Sequence, residues 1–174
     1  LKNRSVESLN DFGLSDENAT VEVAYYPASD TGSSIEPLPW SLKSQQVRCD
    51  TVKGSDYCRE KKIEIIHMLK IDTEGHEMKV LHGFDEMLTK GQIYMIQFEY
   101  GKTWLPPHCQ LADAYAFLSP RGYAIGRLFP KGVQFSEYSM FRDEHYRMGN
   151  YIAVRQEHKD LIKKLQNLRP VYGD

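Results

Sequence analysis

The sequence predicts an α/β fold: one layered domain with a mostly parallel sheet and an antiparallel last strand. Three observations carry this. Ile65-Ile-His-Met-Leu-Lys-Ile71 is nearly continuous in apolar residues, as expected of a strand buried on both faces of a parallel sheet. A helical stripe and a second apolar run, Ile93 to Tyr100, follow it, which makes a strand–helix–strand unit with a right-handed crossover. The stretch from Pro130 to Gly149, ahead of the last strand, shows no apolar helical stripe, so that strand returns antiparallel to its neighbour.

The elements follow in chain order. Thr20 to Tyr26 alternates and is β-prone, a strand. Pro27 to Pro39 concentrates turn formers and reads as a long surface loop. Gln46 to Val52 is a short strand, and Asp56 to Lys62 a short helix or loop. From His76 a helix of about four turns is expected, because Val80, Leu81, Phe84, Met87 and Leu88 share one face. Gly83 inside it costs about 1 kcal/mol relative to Ala, so packing must offset that. Lys90-Gly91 stops it. Leu111, Ala114, Tyr115 and Leu118 mark the next helix, closed by Pro120-Arg-Gly122. Tyr123 to Phe129 and Asn150 to Arg155 are strands, and Leu161, Ile162 and Leu165 lie on a polar C-terminal helix.

Composition narrows the function. The 174 residues suit one domain with a real core. The 41% hydrophobic and 26% charged residues exclude disorder as the main state. Twenty-two Lys+Arg against 24 Asp+Glu offer no basic surplus for a nucleic-acid partner. No apolar run suits a membrane span or a signal peptide. Three cysteines, an odd number, read as free thiols of a reducing, cytoplasmic compartment. Neither they nor the six histidines show metal-ligand spacing, so no metal site is expected. The histidines other than His76 read as structural or solvated. No G-x-G pair, G-x-S-x-G or H-E-x-x-H occurs, which weighs against nucleotide-loop, serine-hydrolase and zinc-protease chemistry.

Ligands of open α/β sheets bind outside the carboxyl ends of the strands. There the first buried strand delivers Asp72, followed by Glu74, His76 and Glu77, and the second delivers Glu99. Such carboxylates could grip hydroxyls, take a proton or bind a cation. Alternatively Asp72, Glu74 or Glu77 caps the following helix. His76 is a candidate general base or a packing residue.

Met68-Leu-Lys-Ile-Asp-Thr-Glu-Gly-His-Glu-Met-Lys-Val-Leu-His-Gly83, followed by Ile96-Gln-Phe-Glu-Tyr100, resembles the FkbM-type methyltransferases. Asn10 to Asp16, Ser33-Ser34 and Asn150 to Arg155 are weaker matches in the right order. The resemblance implies a Rossmann-like class I methyltransferase sheet whose fourth and fifth strands end in Asp72 and Glu99, with the antiparallel last strand between the fifth and sixth. It implies S-adenosylmethionine as cofactor, and O-methylation of a hydroxyl on a small-molecule or glycan acceptor such as a sugar or natural product. Asp72 and His76 would orient or deprotonate the acceptor, and Glu74 and Glu99 would shape the polar floor. Leu14, Ser15 and Asp16 would contact the adenine. The family's D-x-G-A-N-x-G cofactor loop is not in the sequence and would precede Leu1. The chain is thus expected to be an N-terminally truncated, C-terminal two thirds of such an enzyme. The rival reading is a catalytically silent α/β module that binds a sugar or a partner through the same acids.

Overall fold

In the computed structural model, which describes residues 9–27, 34, 35 and 44–167, the strand–helix–strand unit is the centre of the molecule. β4 (Ile66–Ile71) and β5 (Ile93–Tyr100) pair in parallel, with Ile71 beside Phe98. β8 (Gly149–Arg155) runs antiparallel to β5 on its other side. β6 (Tyr123–Phe129) pairs antiparallel with β8 and so points the same way as β4 and β5. The expected antiparallel last strand between the fifth and sixth is therefore present.

Two features correct the expectation of a mostly parallel sheet. β7 (Gly132–Phe135) adds a hairpin to β6, giving the order β4-β5-β8-β6-β7. Only the β4–β5 pairing is parallel; the other three are antiparallel. The reason is β8, which inserts between two parallel strands and takes both of their ladders. A second sheet, of order β1-β3-β2, stands apart from the first. It joins β1 (Phe12–Ser15), β2 (Ala19–Tyr25) and β3 (Gln45–Lys53), with β3 central and longer than the expected short strand. Most of the loop expected from Pro27 to Pro39 lies outside the described residues.

β4 also departs from expectation. Only Ile71 in it is buried, and Met68 is 49% exposed. Among the described residues β4 pairs with β5 alone, so it is an edge strand, not one buried on both faces.

The expected four-turn helix is two short ones, α2 (Glu77–Gly83) and α3 (Asp85–Thr89), meeting at Phe84. The apolar stripe is as read: Val80, Leu81, Phe84, Met87 and Leu88 are all buried in the main core. Gly83 is explained by close approach. A Cβ there would stand 2.0 Å from the Ser15 carbonyl oxygen and 3.3 Å from the Gly54 nitrogen, so α2 lies directly on the end of β1. The Phe84 ring fills the space beside Gly54, the first residue of α1 (Gly54–Glu60). α4 (Leu111–Leu118) buries its four stripe residues and opens with a reciprocal cap between Gln110 and Asp113. Gly122 ends that region in the left-handed conformation, at φ 81°.

The sheet's two faces are covered unequally. α2, α3 and α4 cover one face over Ile96, Phe98, Tyr151 and Ala153. α6 (Lys159–Gln166) covers part of the other, packing Leu161, Ile162 and Leu165 on Val133, Ile152 and Val154. No described helix is long and apolar enough to cross a membrane.

Candidate functional site

Register builds the site. In a parallel pair, side chains of neighbouring residues share a face. Lys70 stands beside Gln97 and Ile71 beside Phe98, so the next residues, Asp72 and Glu99, emerge side by side from the carboxyl ends of β4 and β5. The turn after β4 folds Glu74 back toward them. Carboxylate oxygens of Asp72, Glu74 and Glu99 all lie within 4.8 Å of one another. The sequence placed these three acids at one sheet edge; the structure brings them into one cluster.

The turn that does this is over-determined. Glu74 adopts φ 54° and Gly75 φ 108°, both left-handed. A Cβ on Gly75 would meet the Thr103 carbonyl oxygen at 2.3 Å, so only glycine fits. Glu77, 1% exposed, closes the turn from below. Its Oε1 accepts hydrogen bonds from the Thr73 N–H at 2.8 Å and hydroxyl at 3.1 Å, and its Oε2 from the Gly75 N–H at 3.0 Å. Glu77 is thus a clamp on the loop and not part of the exposed cluster. Ser34 adds a tie from outside, its hydroxyl donating to the Glu74 carbonyl at 2.8 Å.

Burial and nearby like charge both raise the pKa of a carboxyl group. Burial, then Asp72 and Glu77, push the Glu74 carboxyl above its ordinary range. Burial, Asp72, Glu74 and Glu77 do the same to Glu99, against a weaker pull from Lys70. The sequence reading missed Lys70 as a partner. Its Nζ lies 2.6 Å from Asp72 Oδ2, and alternation along β4 puts the two on one face. Both are about half exposed, so water screens the pair. The cluster therefore keeps a surplus of negative charge that a cation, or the proton of a bound hydroxyl, could satisfy. Among the described residues, these three are the ones grouped closely enough to hold a metal ion.

His76 sits elsewhere. It is 5% exposed, and its Nε2 lies 2.9 Å from Ser15 Oγ. The Ser15 hydroxyl donates to Asp16 Oδ1 at 2.9 Å, so His76 donates to Ser15 from Nε2–H. Burial and Lys79 hold the imidazole below its ordinary pKa, with Asp16 opposing. Ser15, Asp16 and His76 thus form one bracket between β1 and the start of α2, while Leu14 packs against the main core. Two groups of candidates that the sequence listed apart, the adenine contacts and the histidine, are in one network.

Two further polar networks had no sequence signal. Gln97 Nε2 donates to Asn150 Oδ1 at 2.9 Å on the cluster's face of the sheet. Glu144 accepts from the Tyr100 and Tyr138 hydroxyls and from the first backbone N–H groups of α4 at Leu111 and Ala112.

A family model, the methyltransferase FkbM domain, matches residues 3–125. The chain belongs to the FkbM methyltransferase family. The match includes the carboxylate cluster and the Ser15–His76 bracket and stops before β7 and β8, so Asn150 to Arg155 falls outside it. Comparison with curated proteins and with solved structures returns no match. For an FkbM chain the residues present fit only part of S-adenosylmethionine. Leu14 and Asp16 could flank its adenine end, but the Ser15 hydroxyl is spent on His76 and Asp16, and the described residues hold no glycine-rich turn to take the ribose and methionine ends.

Proposed function

We propose that this chain carries the acceptor half of an S-adenosylmethionine-dependent O-methyltransferase site. The acceptor is a hydroxyl on a small molecule or glycan, such as a sugar or natural product. The observation that supports this most directly is the meeting of three carboxylates at the strand ends, with Glu74 and Glu99 made more basic by their surroundings. The cofactor, when bound, supplies an electrophilic methyl group. Asp72 and Glu99 hold the acceptor hydroxyl by its proton, orient its oxygen and take the proton as the oxygen forms its new bond. Glu74 shapes the floor. His76, turned inward, is a tether for the Ser15–Asp16 segment and not the base. A glycine-rich loop, which these 174 residues do not contain, would supply the remaining cofactor contacts.

The test is transfer of labelled methyl groups to a panel of hydroxyl acceptors, sugars among them, by this chain and by any longer form that carries such a loop. Asp72→Asn and Glu99→Gln should each lower turnover by about 10²-fold or more. Their melting temperatures should stay close to that of the parent. Unchanged turnover in both variants would remove the carboxylates from the reaction. Sugar binding without methyl transfer to any acceptor would favour a silent binding module.

A further inference from the structure

A polar cavity of about 110 Å³ lies between β6, β8, α4 and the segment leading into β8. Arg127, Arg142, Asp143, His145, Tyr115 and Tyr151 line it. It is separate from the carboxylate cluster. Arg127 pairs across the sheet with Tyr151, and Tyr151 with Phe98, so these share the helix-covered face. Glu99 pairs with Asn150, which places both on the opposite face.

The charges in this cavity do not balance. Arg142 and Asp143 satisfy each other: Asp143 Oδ1 accepts from Arg142 Nε, and Oδ2 accepts from Arg142 Nη2 and the Ser139 N–H. Arg127 is bonded to no carboxylate among the described residues. Its guanidinium lies against Gly149, where a Cβ would come within 3.0 Å of Nε. Its Nη2 donates to the Met148 carbonyl, and its Nη1 faces His145 Nε2 at 3.1 Å.

The proton count at His145 decides what the cavity lacks. The Arg147 N–H points at His145 Nδ1, 3.0 Å away, while the Arg127 guanidinium points at Nε2. Both of these groups are donors that keep their hydrogens. A neutral imidazole has one acceptor nitrogen, and an imidazolium has none. With Nδ1 accepting from the backbone, Nε2 carries hydrogen and confronts another donor. We infer that the cavity is a binding site for an oxyanion, the phosphate or carboxylate group of a small ligand, which accepts from Arg127 and from His145 Nε2–H together. At about 30 Å³ per water molecule, the space holds a group of a few heavy atoms. The turn that aims His145 is held from β5, where the Tyr100 hydroxyl accepts from the Tyr146 N–H, and Tyr146 takes φ 51°. Burial, Arg127 and Arg147 hold His145 below its ordinary pKa, consistent with a neutral ring awaiting an acceptor.

The test is thermal unfolding of the 174-residue chain in phosphate and in acetate, against chloride at equal ionic strength, with imidazole nitrogen NMR of His145. Phosphate or acetate should raise the melting temperature by about 4 °C or more at saturating concentration, and the responding anion identifies the ligand group. The same anion should shift the His145 Nε2 resonance. Arg127→Met should abolish both effects, while Arg59→Met, at an exposed arginine elsewhere, should keep them. If Arg127→Met does not fold, Gly149→Ala, which crowds the guanidinium, should weaken anion binding at least 10-fold. No rise with either anion, or an equal rise in Arg127→Met, would overturn the assignment.

Discussion

Gly83→Ala sets two magnitudes of opposite sign against each other. Helix propensity alone says the change is favourable, though by less than the interior value of about 1 kcal/mol, because Gly83 is the last residue of α2. Its backbone φ is not in the left-handed region, so alanine meets no conformational strain. Packing says the reverse. The new methyl carbon would sit 2.0 Å from the Ser15 carbonyl oxygen and 2.9 Å from its carbon, both backbone atoms that cannot rotate away. Ordinary contact begins near 3.4 Å, so α2 and β1 must separate by about 1.4 Å. Overpacking of this kind costs about 1–3 kcal/mol, and a backbone obstacle puts it at the upper end. The net expectation is a loss of about 2 kcal/mol, which for a chain of this size is a drop of about 4–8 °C in melting temperature. The same separation stretches the 2.9 Å Ser15–His76 bond, so the His76 resonances should move as well. Urea denaturation followed by circular dichroism measures the first effect, and NMR the second. A Gly83→Ala chain more stable than the parent, with His76 unperturbed, would refute close approach as the reason for this glycine.

His76 and Glu144 give stability predictions with definite pH windows. The His76 pKa is lowered in the folded state, so protonation favours the unfolded chain. Its contribution should be full above the ordinary histidine range, near 6.5, and should fall as pH drops below it; in His76→Asn that slope in the denaturation midpoint should flatten. The Glu144 carboxyl is held below its ordinary range by its hydroxyl and N–H donors, which outweigh its burial. Its contribution should therefore be present above about pH 4.5 and lost as pH falls through the lowered value. Glu144→Gln should cost about 1.5–3 kcal/mol at pH 7, the range of hydrogen bonds to a charged group, and progressively less as pH falls through the lowered value, as read from urea titrations at a series of pH values.

The parts of the fold legible in the sequence are those set by local periodicity. Leu111, Ala114, Tyr115 and Leu118 could be read as a buried stripe because helical spacing alone puts them on one face. The antiparallel placement of β8 was legible from the lack of an apolar helical stripe before it, since a parallel return needs a crossover; the one-turn helix Met140–Asp143 found there is too short to make one. The β7 hairpin was missed because Gly132 to Phe135 is only four residues, too short for alternation to stand out. The α2–α3 break was missed for a different reason. The apolar stripe runs through Phe84 unbroken, so nothing local marks the interruption, which falls where a strand end some seventy residues earlier in the chain lies against Gly83. β4 reads as a buried strand because its composition is apolar, yet burial depends on what lies beside it, and the described residues put nothing on its free edge.

The candidate site divides along the same line. Asp72 and Glu99 could be named from sequence because strand ends are local and α/β sheets bind ligands there. Which acids are free and which are tied could not, because that depends on a turn. Glu74 and Glu77 are three residues apart and chemically alike. One is folded into the cluster by two left-handed residues, and the other is buried beneath it on three donors. His76 shows the limit most clearly. Its position beside the acids in sequence made it a candidate base, but the residue that fixes its role is Ser15, sixty-one positions away. The structure ties its Nε2 to Ser15 and buries the ring, while the carboxylates of Asp72, Glu74 and Glu99 gather outside. The same bracket ties the expected adenine contacts to the first turn of the helix that follows the acidic loop. The expected adenine contacts therefore stand one hydrogen bond from His76, two residues after Glu74, a juxtaposition that could be seen only in three dimensions.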